Sequence, residues 1–360
     1  MRALIAAFGA LLLAGCAMFG GAAPAEPPAP RWSLVVHGGA GVIERANLTP
    51  ELDAQYRAAM RQALSIGGDI LEGGGSALDA VEATILYLEG NELFNAGRGA
   101  VFSYEGRNEL DASIMDGRTR MAGAVAGLTR TKHPILAARA VMEYSPHVFL
   151  IGEGAEAFAR SRNLEEVANT YFFTERRWLQ LEQFALRNNL PIPQRPAGAP
   201  APAQQHSNVA PDDHQFGTVG VVAYDQHGNI AAGTSTGGMT GKRWGRVGDA
   251  PIIGAGTYAQ NGVCGVSATG SGEFFIRVGV ARDICARMQL QGMSAQDAAN
   301  TVMREVGAIT NAAGAVGDGG VIVLDGRGRF AFSMNTRGMY RAALEADGVP
   351  IIRIFADEEP

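Results

Sequence analysis

Two short apolar runs joined by one turn constrain this chain more than any other stretch. Residues 219–224 are apolar and rich in β-branched side chains, Asp225-Gln226-His227-Gly228 interrupts them, and a second strand-like run covers 230–235. The pattern reads as a β-hairpin. With the turn centred near His227, antiparallel pairing sets Thr236 across from Thr218, since both lie equally far from the turn. Two hydroxyls then meet at one end of a sheet. Gly237-Gly238 follows, where the backbone can approach a ligand closely. Arg246 and Asp249 come next, three residues apart, a cation and an anion spaced for a small zwitterion.

Around this hairpin, strand and helix signals mix along the whole chain, as a layered α/β core requires. Residues 33–36 form a short apolar strand that runs into His37-Gly38-Gly39-Ala40-Gly41, and His37 is expected to be a structural, hydrogen-bonded histidine. Thr49-Pro50 starts an amphipathic helix with Leu52, Tyr56, Met60 and Leu64 on one face, and Ser76 to Asp79 reads as a cap for a second helix reaching Glu89. Alternation marks strands over 110–115 and 121–128, Pro134 opens a helix through Glu143, and 174–188 is helical. Beyond the hairpin come a strand at 262–268, a helix expected over 273–288, a helix from Ser294 to Val306, and strands at 321–324 and 329–334. Residues 189–216, rich in Pro, Ala and Gln, read as a mobile linker directly before Thr218.

Several chemistries are excluded. The net charge of −6 comes from 30 basic and 36 acidic residues without a basic cluster, so no nucleic-acid partner is expected. The glycine run 73–75 lacks a Walker lysine, and GTSTGGMTGKRWG misses the P-loop spacing. There is no HExxH and no CxxC, and the stretch around Ser267 lacks the closing glycine of a serine-hydrolase elbow. What could activate Thr218 is its own α-amine, exposed by cutting Gly217-Thr218, with a reference pKa of about 7.7–8.0. Glycine before the threonine tolerates the distorted peptide that an N-to-O acyl shift needs.

The ends of the chain read differently. Arg2 precedes an apolar run over 3–13 ending in Leu13-Ala14-Gly15-Cys16, too short to span a bilayer and suited to a signal-peptide core. That ending resembles the bacterial lipoprotein box, which implies a lipid on Cys16; an ordinary secretory signal is the alternative. With no aspartate after the cysteine, the outer membrane facing the periplasm is the expected address. Residues 17–31 then form a tether, 32–217 the first part of one domain, and 218–360 its second part. Cys264 and Cys285 lie in apolar patterns and are expected to be buried free thiols rather than a bridge.

The motifs GTVG, TSTGG, GRVGDAPIIGAG and SATGSGEFFIR occur in one order with HGGAG at 37–41, LFNAGRGAVF at 93–102, ELDASIMDG at 109–117 and NTRGMY at 335–340. Together they resemble the plant-type L-asparaginase and isoaspartyl peptidase family of N-terminal-nucleophile hydrolases, over nearly all of 32–340. The resemblance implies a four-layer αββα sandwich that cuts itself between Gly217 and Thr218 and then hydrolyses β-aspartyl dipeptides and L-asparagine through an acyl-enzyme on Thr218. It assigns Thr236 to the nucleophile, Thr269 and Gly270 to the oxyanion, Arg246 to the substrate's α-carboxylate and Asp249 to its α-ammonium. It also implies Gly272 at the substrate and Asn95 beside the active site. No cofactor is implied for catalysis, but a structural sodium ion is, on backbone carbonyls among Leu88, Glu89, Asn91, Phe94, Ala96 and Arg98. A dimer of αβ units follows from the same resemblance. The rival readings are glycosylasparaginase, which usually has His-Asp where this chain has Phe216-Gly217, and an uncut lipid-anchored binding protein.

Overall fold

The computed structural model describes residues 31–41, 43–201, 217–346 and 348–358. The first part carries β1 (Ser33–Gly41), α1 (Pro50–Glu72), α2 (Ala77–Glu89), β2 (Leu110–Asp116), β3 (Ala122–Leu128), α3 (Pro134–Tyr144), β4 (Phe149–Ile151), α4 (Gly152–Ser161) and α5 (Glu175–Arg187). After it come β5 (Val219–Tyr224), β6 (Ile230–Thr236), β7 (Thr257–Gln260), β8 (Cys264–Gly270), α6 (Gly272–Val278), α7 (Val280–Gln291), α8 (Ala295–Ala308), β9 (Gly319–Asp325), β10 (Phe330–Met334), β11 (Gly338–Glu345) and β12 (Ile351–Phe355). Helix starts fall where capping chemistry puts them: Thr49 Oγ1 accepts from Leu52 N at 3.2 Å and Ser76 Oγ from Asp79 N at 3.1 Å.

Eight strands in the order β12-β11-β1-β5-β6-β2-β3-β4 form one sheet, and β10-β9-β8-β7 form a second. Both faces of the large sheet's central strands are buried, and residues alternate between them with the period of two that a strand dictates. On β1 and β5, Leu34, Val36, Val219 and Val221 point into a core shared with Met60, Leu64 and Ile85 of α1 and α2. Val35 and Val222 point the other way, against Val266 and Ile322 of the small sheet. Helices α7 and α8 cover that sheet's far side. The result is the expected helix-sheet-sheet-helix stack.

Three expectations need correction. The helix expected over 273–288 is two helices, because Gly279 takes a left-handed backbone (φ +70°) and its N–H closes α6 on Phe275 O at 2.9 Å. Cys264 and Cys285 are bridged, not free. Helix α7 lies on β8 and brings their Cα atoms to 5.7 Å, a proximity that burial patterns in sequence do not encode. The linker is not loose from 189: Tyr104 Oη donates to Pro191 O at 2.9 Å, and Arg195 pairs with Glu175 with its guanidinium 4.6 Å from the Phe173 ring centre. Residues 202–216 of the linker, and the signal, Cys16 and almost all of the tether, lie outside the described residues. Among the described residues no helix is long and apolar enough to cross a membrane.

Candidate active site

The register Val219↔Ser235 through Tyr224↔Ile230, continued by one residue, sets Thr218 against Thr236, and both are buried. Thr218 Oγ1 donates to Thr236 Oγ1 at 3.1 Å; Thr236 Oγ1 donates to Gly217 O at 3.0 Å and accepts from Gly238 N at 2.9 Å. The second donor to Gly217 O is Asn95 Nδ2 at 2.7 Å. Its other proton goes to Gly238 O at 2.7 Å, while Asn95 Oδ1 accepts from Val101 N at 2.9 Å. Because every atom of the Asn95 amide is matched to a donor or acceptor, its orientation is fixed. The Gly217 carbonyl thus sits between two hydrogen-bond donors, with a hydroxyl of the next residue beside it.

The His37 loop closes over this bond. Gly39 has φ +116°, and a Cβ there would lie 3.2 Å from Gly217 Cα and 3.4 Å from Thr218 N, so the loop lies against the bond only as glycine. His37 is fully buried, and burial pushes its pKa down to about 3. Nδ1 faces Thr218 O at 3.0 Å, an acceptor, so Nδ1 carries the proton and Nε2 accepts from Ser267 Oγ at 2.9 Å. The histidine is neutral and structural, as expected. From Ser267 a seam of hydroxyls runs between the sheets: Thr234 at 2.7 Å, then Thr257 at 2.5 Å, then Ser113 at 2.8 Å, which donates to Ala250 O at 2.6 Å. Sequence reading missed this seam; its signal is hydroxyl residues at inward positions of otherwise apolar strands.

Thr269, at the end of β8, joins the site through the same loop: its Oγ1 accepts from Ala40 N at 3.2 Å, which leaves its own proton to donate. Gly270 follows, with φ +154°. Beyond it, Gly272 separates the proposed charge pair; a Cβ on it would lie 2.8 Å from Asp249 Oδ1 and 3.0 Å from Arg246 Nη2. Arg246 and Asp249 do not form a local ion pair. Instead Arg246 is gripped by Glu273 through Nε and Nη2, both at 2.8 Å, a residue sequence reading placed only as a helix start. Asp249 is 5% exposed, and its Oδ2 has no hydrogen-bond partner among the described residues. Burial raises its pKa to about 7 against the pull of Arg246. A buried carboxylate oxygen without a partner is costly unless something binds it, and a ligand ammonium has the right charge.

The loop after α2 curls tightly. A Cβ on Gly97 would collide with Glu89 O, and one on Gly99 with Phe94 O and Glu92 O. Backbone carbonyls therefore crowd one concave stretch, the donor type that suits a hard cation. Leu88 O and Asn91 O lie in the same turns, as acceptors from Asn91 N and Phe94 N, and Ala96 O accepts from Gly99 N. The Arg98 side chain turns outward to Glu92 at 2.7 Å. No group of three side-chain carboxylate, histidine or cysteine ligands occurs among the described residues.

The profile of a family described as asparaginase matches residues 30–354. The chain belongs to this asparaginase family. It is 46% identical to the isoaspartyl peptidase of Salmonella typhimurium over 325 residues, which is 90% of this chain and 98% of that protein. A probable isoaspartyl peptidase/L-asparaginase of Arabidopsis thaliana is 40% identical over 338 residues, covering 90% of this chain and 99% of the relative. The plant-type L-asparaginase of Pyrococcus abyssi is 40% identical over 316 residues, 87% of this chain and 96% of the relative. Asparaginase-family membership thus covers the whole sandwich and every residue of the site just described.

Proposed function

We propose that this asparaginase-family chain cuts itself before Thr218 and then hydrolyses β-aspartyl dipeptides and L-asparagine. The observation that carries the proposal is the hydroxyl chain from Thr218 through Thr236 to Gly217 O, completed by Asn95. In the first stage Thr218 Oγ attacks the Gly217 carbonyl carbon while Asn95 Nδ2 and Thr236 Oγ1 hold the developing oxyanion. The hydroxyl proton ends on the departing Thr218 nitrogen, the peptide C–N bond breaks, and an ester forms. Water then cleaves the ester to give a Gly217 carboxylate and a Thr218 with both its hydroxyl and a free amine.

In the second stage the amine takes the Thr218 proton as Oγ attacks the substrate's β-carbonyl, with the Thr269 hydroxyl and the Gly270 amide at the oxyanion. The proton goes on to the leaving amine, which departs as ammonia or an amino acid, and water hydrolyses the acyl-enzyme to aspartate. Arg246, aimed by Glu273, takes the α-carboxylate, and Asp249 takes the α-ammonium. The test is a denaturing gel with sequencing of the smaller band. The parent should yield a fragment starting at Thr218; Thr218→Ala should stay one chain and be inactive; Asn95→Ala should mature about 10²–10³-fold more slowly. A Thr218→Ala protein with full activity would falsify the mechanism.

The carbonyls of Glu89, Phe94 and their neighbours would hold a sodium ion that stiffens the loop carrying Asn95; a melting temperature equal in sodium and in choline chloride would count against it. Cys16 would carry a lipid anchor in the cell envelope, a reading supported by the Cys264–Cys285 bridge, since bridges persist in oxidising compartments. A dimer of αβ units is the assembly we infer, and a single-unit mass by light scattering would remove it.

A further inference from the structure

A pocket of about 430 Å³ opens beside Arg246, lined by Phe184, Leu190, Met239, Lys242, Arg243 and Trp244 among others. Arg246 and Met239 line it, and each adjoins a group that the aspartyl half of a substrate would use. Met239 follows Gly238, whose N–H donates to Thr236 Oγ1 and whose carbonyl accepts from Asn95, and Arg246 is the proposed α-carboxylate group. Its apolar lining, Phe184, Leu190, Met239 and Trp244, is not needed by asparagine, whose leaving group is ammonia.

Two features mark this pocket as built for a ligand. Arg243 faces no carboxylate within ion-pair distance among the described residues. Its guanidinium lies 4.1 Å from the Tyr104 ring centre and 5.9 Å from that of Trp244, and its Nε is buried without a hydrogen-bond acceptor. The other two cations are engaged: Lys242 Nζ donates to Glu109 O at 2.9 Å and Arg246 is held by Glu273. Trp244 is 92% exposed and takes a left-handed backbone, φ +57°, a strained conformation for a bulky residue. An indole kept in water on a strained turn at a pocket rim is poised to cover something.

Charge counting says what. Asparagine carries one carboxylate and one ammonium, met by Arg246 and Asp249. A β-aspartyl dipeptide carries one carboxylate more, at the end of its leaving residue, and the pocket holds one cation more than the aspartyl half uses. We propose that this pocket is the leaving-residue subsite, with Arg243 on the leaving carboxylate and Phe184, Leu190, Met239 and Trp244 around an apolar side chain. The chain is then a peptidase selective for β-aspartyl dipeptides whose second residue is large and apolar. This rests on the function proposed above.

The experiment compares kcat/KM for β-aspartyl-leucine, β-aspartyl-glycine, β-aspartyl-leucinamide and L-asparagine in the matured parent, Arg243→Met, Arg243→Lys and Trp244→Ala. The parent should prefer the leucine peptide to both the glycine peptide and the leucinamide. Arg243→Met should lower the ratio of leucine peptide to asparagine by roughly tenfold to a hundredfold and lose the preference for carboxylate over amide, and Arg243→Lys should restore part of both. Trp244→Ala should narrow the leucine-to-glycine ratio by about tenfold. If the parent turns over these substrates but the ratios do not move in Arg243→Met or Trp244→Ala, the subsite is wrong and the function stands. If the parent turns over none of them, the proposed function fails and takes the subsite with it.

Discussion

Asp249 is a residue whose chemistry the fold changes. In water an aspartate is ionised at any neutral pH, but here burial lifts it to about 7, so in the free enzyme roughly half of the molecules at that pH lack the charge an ammonium needs. We expect kcat/KM for L-asparagine to fall by about tenfold or more per pH unit below pH 7, since protonation of Asp249 adds to that of the Thr218 amine. A kcat/KM profile flat from pH 8 to pH 5.5 would show that Asp249 stays ionised or has no part in binding. Thr218 and Thr236 were legible from sequence because strand pairing is arithmetic around a turn, and the observed register agrees. Glu273 was not. Its bidentate grip on Arg246 joins residues 27 apart, brought together by the end of β8 and the start of α6, and no local pattern encodes that.

Elements were legible in proportion to their local signals. Helices α1 and α2 begin at the residues that capping predicts, and the hairpin β5–β6 lies where alternation and the Asp225–Gly228 turn put it. The break at Gly279 and the bridge between β8 and α7 were not legible, since one depends on a backbone dihedral and the other on how a helix lies across a sheet. The bridge closes a sequence separation of 21 residues, so the chain-entropy argument gives it about 3 kcal/mol. It ties the strand that ends in Thr269-Gly270 to the helix behind it. Reduction, or the Cys264→Ala/Cys285→Ala variant, should shift the denaturant midpoint down by that amount of free energy while the folded variant keeps its secondary structure. An unchanged midpoint under reduction would mean the thiols are not bridged in solution.

At the scale of the whole molecule, the four-layer stack followed from the motifs and the alternation, whereas nothing in the sequence showed how its two parts share one sheet. The proposed anchor would also act at this scale: Cys16→Ala should release the protein from the membrane fraction into the soluble one, and equal membrane retention of that variant and the parent would remove the anchor. The shared sheet itself has the larger consequence. Strand β1 from the first part lies between β5 and β11 of the second, and β2 of the first part pairs with β6 of the second. Once the bond before Thr218 is cut, folding changes molecularity. The precursor threads β1 into place as one chain, a first-order event at any dilution, but two separated fragments must find each other first. Recovery of the native circular dichroism from denaturant should therefore be independent of concentration for uncut Thr218→Ala, whereas recovery of activity should fall with dilution for the matured enzyme, which makes the cut a one-way step in the protein's life.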